Sequence, residues 1–149
     1  MKGFGDMSDN INYLQDISHK LLRDSGLDVQ IQLKDYFPER RLIGGKYSLE
    51  TNQVTIYVEE VRTQCVKLIG SEEQFLDFFT VILAHELGHA ADSNLPILAS
   101  KRAHTECLEM KKQVSILIEN NAWNYAYNLV PQFKDILALL KEHSMKLYK

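Results

Sequence analysis

Cysteine is nearly missing from this chain: there are two in 149 residues, Cys65 and Cys107, far apart and without C-x-x-C spacing. That excludes a disulfide framework and a thiolate zinc knot, and both read as reduced core residues. No stretch approaches the ~18 consecutive apolar residues of a membrane span, and Met1 to Asp16 carries no apolar run of the secretory kind. Basic excess is missing too. A formal charge of −3 and a pI near 5.9 speak against a nucleic-acid partner. The pairs Arg40-Arg41, Lys101-Arg102 and Lys111-Lys112 read as solvated surface. Repeats, low-complexity tracts and linkers are also absent. These gaps leave one cytoplasmic domain spanning residues 1–149, with no membrane partner, as the expectation.

Apolar periodicity supplies the elements. Ile11, Leu14, Ile17, Leu21 and Leu22 recur at helical spacing over residues 9–25, after a cap at Ser8 or Asp9 and before Gly26 as a stop. The period then shortens to two. Val29, Ile31 and Leu33 alternate with polar residues, as do Val54, Ile56 and Val58, and Gly44-Gly45 opens an extended run between them. Pro38 and Glu39-Arg40-Arg41 read as a loop, and Cys65 to Ile69 as a fourth short strand. A long helix is expected from about Ser100, with Ala103, Cys107, Met110, Val114, Leu117, Ile118, Ala122, Tyr125 and Leu129 as its stripe. Pro131 ends or kinks it, and a last helix carries Phe133, Ile136, Leu137 and Leu140. The fold class is therefore α+β, with an N-terminal helix, a small and mainly antiparallel sheet, and helices after it.

Between sheet and long helix stands Val81-Ile-Leu-Ala-His-Glu-Leu-Gly-His-Ala-Ala-Asp92. Phe75, Phe78, Phe79, Ile82, Leu83 and Leu87 make it helical, and Ser71-Glu72-Glu73-Gln74 reads as a capping box before it. On a helix His85 and His89 lie one turn apart on one face, so both imidazoles can meet one metal ion. Glu86 sits about 100° round from His85, where its carboxylate can reach a water on that ion without ligating it. Chance would produce His-Glu-x-x-His in roughly one such chain in eighty. Two neutral nitrogen ligands beside a base are what a zinc hydrolase requires, and the helical context favours that chemistry over two packed core histidines.

A catalytic zinc site takes a third protein ligand. Asp92 lies close to the helix end, Glu106 and Glu109 near the start of the long helix, and Glu109 follows His89 at thermolysin-like spacing. Glu119 has the better surroundings: a carboxylate in an apolar helix face is costly unless paired or bound to metal, and Ala122 nearby permits close helix approach. Tyr47, His104, Tyr125 and Tyr127 are candidates to stabilise the oxyanion of a hydrolysis.

His85-Glu-Leu-Gly-His89 together with Glu119-x-x-Ala-x-x-aromatic-Ala-x-x-Leu-x-Pro131 resembles the ImmA/IrrE-type, gluzincin-like zinc metallopeptidases, over roughly residues 28–131. The resemblance implies a minimal zincin-like fold, a Zn2+ cofactor held by His85, His89 and Glu119, and Glu86 as general base. It also implies a protein or peptide substrate, often a DNA-bound transcriptional repressor, although no helix-turn-helix is present. Trp123 stands where that family carries Asn or Asp to orient a zinc-bound histidine, so Asp92, Asn120 or a backbone carbonyl is expected in that role. The competing class is a zinc-stabilised protein-interaction module without turnover; Glu86 separates the two, because a structural site needs ligands but no base.

Overall fold

The computed structural model describes residues 7–39 and 44–148; Arg40 and Arg41 of the expected loop lie outside them. Among the described residues, helix α1 (Met7–Ser25) leads into strands β1 (Gln30–Lys34), β2 (Gly45–Ser48) and β3 (Gln53–Tyr57). Helices α2 (Val58–Ile69), α3 (Phe75–Ala91), α4 (Leu95–His104), α5 (Leu108–Leu129) and α6 (Lys134–Met145) follow, with short 3-10 turns at Pro131–Phe133 and Lys146–Tyr148. No helix among them is long and apolar enough to cross a membrane.

The α+β class holds, but the sheet is mixed rather than mainly antiparallel. Its order is β1-β3-β2, with β1 parallel and β2 antiparallel to the central β3. Residues Leu49 to Asn52 turn β2 into β3, and Asn52 takes a left-handed conformation (φ 52°) that its short polar side chain tolerates. β3 then runs directly into α2. The expected fourth strand is the second half of that helix: Val58, Val61 and Cys65 are its buried residues, at helical spacing that the five residues 65–69 alone do not reveal.

Everything packs round α3. From Phe75 to Gly88 it buries residues on all sides, touching α1, α2, α5, α6, β2 and β3. Its apolar sequence explains that position, since a helix apolar all round is stable only when enclosed. The expected capping box is not formed. Gln74 occupies the N-cap without a side-chain bond, and the Ser71 hydroxyl instead accepts from the Glu73 N–H at 3.1 Å. Ser8 and Asp9, expected as caps, lie within α1, which stops as expected at Gly26 (φ 69°).

The long helix is divided. Pro96 opens α4, where a proline without an N–H fits the first turn, and Thr105-Glu106-Cys107 separates α4 from α5. Ala103, Cys107, Met110 and Leu117 are exposed rather than part of a core stripe, while Val114, Ile118, Ala122, Trp123 and Ala126 are buried. Cys65 is a core residue, whereas Cys107 is exposed; both are free thiols.

α3 and α5 cross where Gly88 meets Ala122. A Cβ on Gly88 would lie 2.5 Å from the Ala122 carbonyl oxygen and 2.8 Å from its Cα. In an unobstructed helix interior, Gly→Ala gains roughly 1 kcal/mol of helix propensity. Here the obstacle is backbone, which cannot rotate aside, and such overpacking costs about 1–3 kcal/mol or more. Gly88→Ala is therefore expected to lower the unfolding midpoint by some degrees in a thermal melt. A midpoint equal to or above that of the wild type would show that the crossing does not depend on glycine.

Candidate metal centre

His85 and His89 project from α3, and Glu119 projects from α5 one turn before the residue that touches Gly88. The close crossing brings the three together. Glu119 Oε1 lies 3.0 Å from His85 Nε2, and Glu119 Oε2 lies 3.3 Å from His89 Nε2. One ligand atom from each residue falls within 4.8 Å of the others, so this group can hold a metal ion. The fit is chemical as well as spatial. Ligands ~2.0–2.1 Å from a tetrahedral zinc are about 3.3 Å apart, close to what is seen, and two imidazoles with a carboxylate are a common catalytic zinc set.

Burial would by itself push the His85 imidazole down, but the carboxylates of Glu86 and Glu119 outweigh it and raise His85 from 6.5 to about 10. Burial likewise pushes Glu119 up, and hydrogen bonds from His85 and His89 override it, holding the carboxyl well below its ordinary 4.5. Without metal, the centre at neutral pH is an imidazolium–carboxylate pair. The stabilisation from His85 is complete below its ordinary 6.5 and is lost as pH rises through about 10. That from Glu119 is present above 4.5 and lost as pH falls.

Glu86 is buried, and its Oε2 lies 3.1 Å from His85 Nδ1. With Nε2 facing a metal, Nδ1 carries the proton and donates to Glu86, which fixes the tautomer. Trp123 supports the same ring from its face, stacked at 4.1 Å between centroids and 25° between planes. Its indole N–H donates to the Ser144 hydroxyl at 3.1 Å, tying the end of α6 to the centre. So the orienting contacts expected of Asp92 or Asn120 come from Glu86 and Trp123. Asp92 is engaged elsewhere, accepting from the Asn94 backbone and the Asn121 side chain.

The three residues and Glu86 line a cleft of about 450 Å³. One wall is β2, so close that a Cβ on Gly45 would come within 3.0 Å of Glu86 Cγ. Among the other sequence candidates, Tyr47 lines the cleft, but its hydroxyl donates to Asn52 Oδ1 at 2.8 Å. Tyr125 is bonded to Ser25, and burial pushes its phenol up. Tyr127 packs against the core, His104 is exposed beside the Ser100 carbonyl, and none of these three borders the cleft. Glu106 and Glu109 are exposed, with Glu109 accepting from Gln113, so neither joins the centre. Sequence reasoning missed Arg102, His143 and Tyr148, which also line the cleft. Burial and the nearby Glu119 push the Tyr148 phenol up, against the pull of Arg102. No local motif marks these three, because only the folding of α4 and α6 onto α5 brings them together.

Two measurements test the ligand set. Glu119→Ala should lose bound metal in equilibrium dialysis while Glu109→Ala retains it; equal retention would remove Glu119 from the set. Because His85 carries a proton between pH 6.5 and about 10 in the metal-free fold, metal entry displaces it. Calorimetry at pH 8 in buffers of different ionisation enthalpy should show roughly one proton released per ion bound. Buffer-independent heats would contradict that protonation state.

Compared with protein-family models, with curated proteins and with solved structures, the chain matches none.

Proposed function

We propose that the chain is a zinc-dependent metallopeptidase acting on a protein or peptide, with His85, His89 and Glu119 as ligands and Glu86 as general base. The observation that carries this reading is that Glu86 lines the same open cleft as the three residues whose ligand atoms converge. When bound there, zinc would lower the pKa of water toward ~7 and polarise a carbonyl. Glu86 spends one oxygen on His85 and has the other left to take a proton from water and deliver it to the leaving nitrogen.

A peptide suits the cleft because β2 is an edge strand. One side of Gly45–Ser48 pairs with β3, and among the described residues the other side pairs with no strand. An extended substrate can add to that edge through backbone hydrogen bonds, and Gly45 on the same strand packs directly against Glu86. Gln64, also in the lining, adds an uncharged donor and acceptor.

The interaction-module reading has one observation in its favour: the Glu86–His85 contact would orient a ligand equally well in a structural site. Glu86→Gln decides between them. Gln keeps the size and still accepts from Nδ1–H, but it cannot take up a proton. The variant should retain metal and fold while zinc-dependent cleavage of a proteome-derived peptide mixture falls by about 10²–10⁴-fold. Undiminished cleavage would exclude Glu86 as base, and no cleavage by the wild type would favour the interaction module.

A further inference from the structure

Among the described residues, the carboxylates lining the cleft are Glu86 and Glu119, and both are committed to the centre. Among the described residues, the charged or chargeable nitrogen groups of its walls outside the centre are Lys46, Arg102 and His143. In a chain whose net charge is −3, this wall is not a sample of the general surface.

Arg102 stands apart from the other two. Lys46 and His143 are exposed, whereas Arg102 is half-buried in the last turn of α4. Its Nη1 donates to the Ser115 hydroxyl on α5 at 3.2 Å, which anchors the side chain. Among the described residues it forms no ion pair. A guanidinium has five N–H donors in a rigid fork, and among the described residues no carboxylate meets any of them, although the residue lines the cleft. A partly desolvated cation without a counter-charge is costly, and its natural complement is a carboxylate held by two parallel hydrogen bonds. Arg102, Tyr148 and the metal ligands line the same cleft.

Resting on the peptidase reading, we propose that Arg102 is a specificity residue: its free guanidinium edge binds a carboxylate of the peptide substrate while the backbone lies at the metal centre. Lys46 adds longer-range attraction for the same acidic segment, and Ser115 anchors the fork. The carboxylate is either an Asp or Glu side chain or the substrate's C-terminus; both present the same group to the guanidinium.

The test uses the zinc-loaded protein and peptide hydroxamates, which bind an accessible metal without being turned over. Four probes are compared in two pairs: an Asp against an Asn side chain, and a free C-terminal carboxylate against its amide. In the wild type one acidic member should bind roughly tenfold to a hundredfold more tightly than its neutral twin, and the pair that does so identifies the source. In Arg102→Gln that ratio should fall to about one, and Arg102→Lys should restore part of it, because charge returns without the fork. Equal binding within both pairs by the wild type, or a ratio that survives in Arg102→Gln, would overturn the assignment. Failure of every hydroxamate to bind the zinc-loaded wild type would instead overturn the open-metal reading beneath it, and the specificity role with it.

Discussion

The backbone contact between Gly88 and Ala122 is the constraint on which the centre depends. Two helices packed on ordinary side chains stand 8–10 Å apart. The missing side chain of Gly88 and the small one of Ala122 allow a closer approach. Glu119 precedes Ala122 by one turn, and His85 and His89 flank Gly88, so one close crossing puts a carboxylate between two imidazoles. Trp123, next along α5, stacks on His85 by the same geometry.

Electrostatics then sets what the crossing can be for. α3 is enclosed by apolar packing, yet it carries His85 and Glu86 into its buried stretch. Buried ionisable groups are tolerated when each has a partner. Here every buried side-chain nitrogen and oxygen among the described residues is satisfied, and for His85 and Glu86 the partners are residues of the centre themselves. The arrangement is thus self-consistent as a proton-sharing cluster, and it has ligand spacing for a cation that would take the proton's place. Glu86 links the two roles, since it supports the His85 ring and borders the cleft. The glycine in β2 that leaves room for Glu86 also puts an open strand edge beside it.

Much of this centre is legible in the order of residues because its information is local. His85 and His89 at i and i+4 define a face without reference to anything else. Glu119 was distinguishable from Glu109 by its apolar neighbours, and the structure brings Glu119 to the histidines while leaving Glu109 in solvent. Legibility fails where information is tertiary. The parallel pairing of β1 with β3 has no turn sequence to announce it. Cys65 to Ile69 looked like a strand because a short apolar run carries no period of its own; the helix shows only when Val58 and Val61 are included. The break at Thr105 to Cys107 falls in a polar stretch that a helical stripe can be drawn through, and Met110 and Leu117 lie off the buried face of α5. Arg102, His143 and Tyr148 lie far from the motif in sequence and meet it only through packing.

The central claim is that His85, His89 and Glu119 form a metal site, and elemental analysis joined to chelation tests it most directly. Protein expressed in zinc-supplemented medium should carry about one zinc per chain. Because binding to the native state alone stabilises it, removing the ion with a chelator should lower the unfolding midpoint, and adding zinc back should restore it. Protein that contains no metal, with an unfolding midpoint indifferent to both chelator and zinc, would contradict the account.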